Sequence, residues 1–304
     1  MKRASLCSAA LCALLAFPSV ALASPLLPDT ALAPQARRAL AEQVRAERAS
    51  HPELFQRLRS LGGVRPEVYL RTRAQRPAVT RELQALGPGA LFPMLDVLAL
   101  SGYPQALGAE ETVTLQVGLL EALGALQDRR AQPALRGAFE ALTDPAAVGA
   151  AARALGGLCT DDEVAYLTTA GARGGMRGLA AWEGLGACRR VEAVRVLADA
   201  LDRATDRDTM EALARGLSDA GSTWARAARG QTDDGPSVAA RALLRAFLRA
   251  DAATRPELQV ALSAVGAPET PQLVAEARRA PNLDASTQRA LESLERVLRR
   301  SRPR

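Results

Sequence analysis

Acid–base, nucleophilic or metal chemistry has little to draw on in this chain: one histidine, His51, one lysine, Lys2, and four cysteines, Cys7, Cys12, Cys159 and Cys188. A hydrolytic triad needs an imidazole beside a nucleophile, and His51 stands in a His-Pro step that opens a helix, with no nucleophile motif around it. A zinc site from His51, Cys159 and Cys188 lacks the short ligand spacing of metal loops. Asp206, Asp208 and Glu211 bring charge suited to calcium without the glycine and final glutamate of a calcium loop, and read better as helix-start charges. Gly87-Pro88-Gly89 and Gly184-Leu185-Gly186 have no following lysine or strand context and read as turn and packing glycines rather than phosphate cradles. The expectation is no catalytic residue, no metal and no cofactor.

What positions these residues is a helical chain. The 304 residues are 48% hydrophobic and 24% charged, enough to bury a core, but only 3% aromatic; isoleucine is absent and Leu and Ala carry the apolar load. Scarce β-branched and aromatic residues argue against a β-sandwich or barrel and for an all-α fold. The opening residues combine Lys2 and Arg3, an apolar run from about Leu6 to Leu15, Pro18, and a small-x-small end at Ala21-Leu22-Ala23. That pattern predicts a cleaved signal peptide over residues 1–23, a mature chain beginning near Ser24 with no membrane span, and a periplasmic or secreted location. Cys159 and Cys188 then remain in an oxidising compartment as a candidate disulfide.

One phrase recurs: LEALGALQDRRAQPAL, ARALGGLCTDDEVAYL and AWEGLGACRRVEAVRVL place Leu-Gly glycines at 124, 156 and 186, with a weaker copy at Gly216. The spacings are 32, 30 and 30 residues, and Leu135, Leu167 and Leu197 follow eleven residues after the first three glycines. Within a unit, Val148, Ala151, Ala152, Leu155 and Leu158 keep helical steps of three and four, and Asp144-Pro145 and Thr160-Asp161-Asp162 supply helix starts. A two-helix unit of this length cannot bury its own apolar face, so the units must stack as an α-solenoid.

These units resemble the short HEAT-like repeats first described in phycobilisome lyases. Asp144-Pro145-Ala146-Ala147-Val148, Ala151-Ala152-Arg153-Ala154-Leu155-Gly156, and Asp128 with Pro133-Ala134-Leu135 carry the likeness, which covers roughly residues 78–280. It departs at Arg189-Arg190, where the turn aspartate is missing, and at Ala227, where a leucine is due. The expected organisation is a signal peptide over 1–23, an arginine-rich helical cap over 24–77, an armadillo-like solenoid over 78–280, and a capping helix with a basic tail over 281–304.

The resemblance puts second helices on the concave face, which makes Glu140, Thr169, Arg195, Asp199, Asp202 and Arg229 candidate partner-binding residues. Trp182 and Trp224 align with apolar positions of neighbouring units and are expected in the core. The leading reading of function is a noncatalytic scaffold of the bacterial envelope binding another protein or an extended peptide. Residues 37–81 hold eleven arginines against four glutamates, a net of +7, which opens an alternative: contact with a polyanion or anionic surface. The resemblance also admits lyase-like enzyme activity.

Overall fold

The computed structural model describes residues 25–61, 78–104, 106–281 and 283–300. The expected signal peptide over residues 1–23, Arg65, Arg71, Arg73 and Arg76, and the last tail arginines lie outside the described residues. Helices α1 (Pro34–Ser50) and α2 (Pro52–Arg59) precede α3 (Ala78–Gln84) and α4 (Leu91–Ala99). Three regular pairs follow: α5 (Ala109–Leu126) with α6 (Gln132–Ala141), α7 (Pro145–Leu158) with α8 (Asp161–Ala172), and α9 (Gly175–Leu185) with α10 (Val191–Arg203). Next come α11 (Arg207–Gly221), the short α12 (Thr223–Ala227), α13 (Gly235–Arg249), α14 (Arg255–Val265), α15 (Thr270–Arg278) and α16 (Ala285–Arg300). No described residue is in a strand, and the helices pack on one another in a continuous series along the chain: the molecule is an all-α solenoid.

Local signals in the sequence set these boundaries. Asp144 caps α7 by accepting from Ala146 N at 2.9 Å, Thr160 caps α8 by accepting from Glu163 N at 3.2 Å, and Asp206 caps α11 by accepting from Thr209 N at 2.9 Å. Proline in the first turn of α6, α7, α13, α14 and α15 costs no helical hydrogen bond there. The residue three after each of the first two repeat glycines, Gln127 and Cys159, ends its helix in the left-handed conformation with φ of 53° and 52°.

The first helices α5, α7, α9 and α11 form one close-packed row, extended by α3 and α14. Small residues permit the approach: a Cβ on Gly124 would stand 2.7 Å from the Ala154 Cα, and one on Gly186 would stand 2.6 Å from the Gly216 carbonyl oxygen. The backbones of α6 and α8 are splayed and bridged by long side chains, with Arg136 donating to Glu163 at 2.7 Å and Tyr166 donating to Glu140. We call the first-helix side, packed backbone to backbone, the inner face, and the side of α6, α8 and α10 the outer one.

Leu123, Leu155 and Leu185, each one residue before a repeat glycine, are fully buried, as are Leu135, Leu167 and Leu197. Leu155→Ala is expected to cost about 2–5 kcal/mol in urea unfolding, against a change near zero for Arg241→Ala on the exposed side of α13. Equal shifts for the two variants would overturn the repeat register. Arg153 is not a neutral surface position, because it donates to the buried Glu121 at 2.8 Å.

Both ends of the row are covered. Helices α1 and α2 clamp α4 through Asp96, a buried carboxylate held by Arg48 and, at 3.6 Å, by Arg59. Upstream of α1 the chain runs as a strap across three helices. Leu27 is buried and its N–H donates to the Leu98 carbonyl at 2.9 Å, Gln116 of α5 donates to the Leu26 carbonyl at 2.8 Å, and the Ala31 carbonyl sits where a side chain on Gly137 of α6 would be. At the other end α16 packs on α14 and α15 through Leu291, Leu294 and Leu298, with Arg278 bound to Glu295.

Candidate functional site

Charged residues cross the inner face as an alternating ladder. Glu121 on α5 accepts from Arg153 on α7; Glu183 on α9 accepts from Arg215 on α11 at 2.7 Å, and Arg215 also reaches Glu257 on α14 at 3.3 Å. Glu121, Arg153 and Glu183 each stand three residues before a repeat glycine. Stacking therefore brings equivalent positions side by side, and the alternation of sign turns repetition into pairing. Sequence reading held this register but lacked the knowledge of which face it lines.

Beside the ladder, at the C-terminal ends of the first helices, lies an open pocket of about 340 Å³. Its floor is narrow in side chains, formed by Gly124, Ala125, Ala154, Gly157 and Ala187. Gln84 and Gln127 edge it, and Gln127 donates to the Gly157 carbonyl at 3.0 Å. Charge comes from Glu121, Arg153, Arg189, Asp219 and Arg229. Desolvation by the pocket walls holds the Asp219 carboxyl above its ordinary pKa, against the opposing pull of Arg189 and Arg153, although its side chain still meets solvent.

Of the six residues chosen from the sequence, Arg229 alone lines this pocket. It sits in the turn after α12 rather than on a full second helix. The other five lie on second helices: Glu140 on α6, Thr169 on α8, and Arg195, Asp199 and Asp202 along one side of α10. Glu140 accepts from Tyr166, whose hydroxyl is raised above its usual pKa chiefly by burial and further by that carboxylate. Thr169 bonds back to the Ala165 carbonyl at 2.9 Å. Arg195 reaches Asp234 at 3.3 Å, Asp202 accepts from Arg245 at 3.1 Å, and Asp199 is exposed on α10. These five residues lie on the second-helix side, away from the pocket.

The two tryptophans part company. Trp182 is buried and packs onto Gly171, where a Cβ would stand 2.4 Å from the indole. Trp224 is 82% exposed, which corrects the core assignment. The reason is that the second helix of this unit shrinks to the five residues of α12, and Arg226 takes the interior place instead. Arg226 is 1% exposed and donates to the carbonyls of Arg189 and Ala220 and to Asp233.

Cys159 and Cys188 are joined as a disulfide with Cα atoms 4.9 Å apart. Their offsets from the repeat glycines differ by one residue, which on continued helices would rotate them apart by ~100°. Helix α7 ends at Leu158 and α9 at Leu185, so both cysteines stand past a helix end, and the left-handed turn at Cys159 redirects it toward its partner. Thiol titration of the unfolded, nonreduced chain is expected to find neither cysteine reactive. Reduction should cost about 3–4 kcal/mol for a closed loop of this length. His51 lies elsewhere, exposed on the cap, 3.0 Å from Glu47.

No protein-family model matches the chain, and no curated protein does. Among solved structures, human deoxyhypusine hydroxylase in complex with glycerol is similar at a TM-score of 0.33 and 17% identity, over 88% of this chain and 100% of that one. At that level neither fold nor activity is carried across.

Proposed function

We propose that this chain is a noncatalytic, HEAT-like scaffold of the bacterial envelope whose inner face binds another protein or an extended peptide. The observation that carries the reading is the inner row itself: glycine and alanine contacts bring its helices together and leave a polar, open trough across them, where a partner's main chain can approach closely. Extended concave surfaces of this kind are what stacked repeats offer to partners. No helix among the described residues is long and apolar enough to cross a membrane.

A photo-crosslinking residue placed in the intact chain tests the reading. At Ala125, exposed in the inner pocket, it is expected to capture a discrete partner from envelope extract; at Ala172, exposed at the end of outer helix α8, it is not. Capture from Ala172 alone, or equally from both, would overturn it.

The anionic-surface alternative rests on Arg38 and Arg45, exposed seven residues apart on one face of α1. Arg37, Arg48 and Arg59 are already engaged by Asp29 and Asp96. Replacing both Arg38 and Arg45 by glutamate is expected to abolish any low-salt retention on anionic vesicles; unchanged retention would remove that reading.

A further inference from the structure

We infer that the protein pairs with a second copy of itself, the exposed Trp224 of each copy entering the inner pocket of the other. This goes beyond the scaffold reading and is independent of it, because the knob and the hole both belong to this chain. Large apolar side chains are otherwise well covered: among the described residues only Met176, Val260 and Trp224 are exposed, and Trp224 is the most exposed of the three. It stands on the solvent side of α12 with Ala227 and Ala228, while Ala225 and Arg226 fill the interior side. An indole in that position is the kind of side chain that anchors protein contacts, since it carries a large apolar area on two rotatable bonds.

The knob is held in place before any contact is made. Arg226 fixes α12 from within by donating to the carbonyls of Arg189 and Ala220, and Thr223 donates to the Val265 carbonyl at 2.8 Å. An ordered root lowers the entropy that association costs.

The hole has the size and chemistry for one indole. Its volume of about 340 Å³ is at the lower end for pockets that hold a small molecule, ~300–1,000 Å³. Gly124, Ala154, Gly157 and Ala187 give a floor on which a flat ring can lie. Glu121 is bound to Arg153, and Arg189 and Arg153 both pull on Asp219, so the walls select no ion and a neutral occupant is the better match. Arg229 at the rim offers a guanidinium plane to the ring face, and Asp219 and Gln84 offer acceptor oxygens to the indole N–H.

Knob and hole lie side by side. The Ala228 N–H donates to the Trp224 carbonyl at 3.1 Å, so the turn that carries Arg229 to the pocket rim starts at Trp224. Adjacent complementary sites let a twofold axis satisfy both contacts at once, which closes the assembly at two copies. Each inserted tryptophan removes ~150–250 Å² of its own surface and a similar area of wall, so the two contacts bury about 600–1,000 Å², less than the ~1,200–2,000 Å² of a stable interface. The pairing is therefore weak and reversible, and leaves the inner face free when the chain is dilute.

Sedimentation velocity of the purified chain across the micromolar range tests the proposal, with tryptophan emission as a second readout. Trp182 is buried in either state, so a shift to shorter wavelength with rising concentration reports Trp224 leaving water. A monomer–dimer equilibrium is expected. Trp224→Ala removes the knob and Ala125→Phe fills the hole, both at exposed positions, and each should weaken pairing at least tenfold, while Val260→Ala on α14 leaves it unchanged. Mixing the first two variants restores one knob to one hole, so the mixture should associate more tightly than either variant alone. A chain that stays monomeric throughout, growth beyond dimers, or unchanged pairing in Trp224→Ala would overturn the inference. So would pairing lost in Trp224→Ala but kept in Ala125→Phe, the mark of tryptophan stacked on tryptophan.

Discussion

Gly156→Ala is expected to destabilise the protein by about 3 kcal/mol or more, whereas Gly157→Ala, one residue on, should be neutral or stabilising by up to ~1 kcal/mol. A Cβ at position 156 would stand 1.9 Å from the Gly184 carbonyl oxygen and 2.8 Å from its carbon. Both atoms belong to the backbone of α9, so no side chain can swing aside; α7 and α9 would have to separate. Separation would propagate, because Gly184 is pressed equally hard on Ala152, at 2.5 Å from a Cβ to that backbone carbon. At Gly157 the nearest atom to a new Cβ is the Gly124 carbonyl oxygen at 3.4 Å, an ordinary contact, and alanine removes the entropic cost of glycine in a helix. Urea unfolding of the two variants decides it: similar midpoints would show that the inner row is not packed backbone to backbone.

Arg226→Ala is expected to cost about 3–5 kcal/mol, the scale for removing one member of a buried ionic cluster. The loss has three parts: two carbonyls, those of Arg189 and Ala220, lose their donor, Asp233 loses its counter-charge, and the volume of a fully buried side chain is vacated. Asp233 also accepts from Gly235 N at 2.9 Å, so the start of α13 loosens as well. Arg226→Met restores the volume without the donors and should recover only part of the loss. A variant as stable as the parent would mean that the turn is held by other contacts.

Much of the fold was readable because repetition converts sequence offsets into spatial neighbours. The Leu-Gly pairs located core leucines at 123, 155 and 185 and the contact glycines beside them. Which of the two helices would pack backbone to backbone was not readable, since an amphipathic stripe shows that a helix has a buried side but not which neighbour it meets. The same limit hid the ladder: Glu121, Arg153 and Glu183 shared an offset, yet alternating charge gains meaning only once adjacent first helices are known to touch. Trp224 left the core expected for it because alignment by offset assumes a full-length second helix, and α12 stops after five residues. Arg229 was chosen by the same offset and reaches the pocket for a different reason, the early turn that this short helix makes.

The strap at the start of the chain breaks the locality that repeats otherwise enforce. Stacked units meet partners about one repeat away in sequence, whereas the bond from Gln116 to Leu26 joins residues 90 apart. Contacts of such separation close slowly relative to local ones. The middle of the array can therefore assemble from neighbouring units alone, and the strap residues Leu26 to Ala31 are among the last to find their places. Until α4, α5 and α6 are in register, Leu27 has no cleft to enter and the Leu98 carbonyl has no donor from it, so the strap acts as a late latch that reports completion of the first three layers.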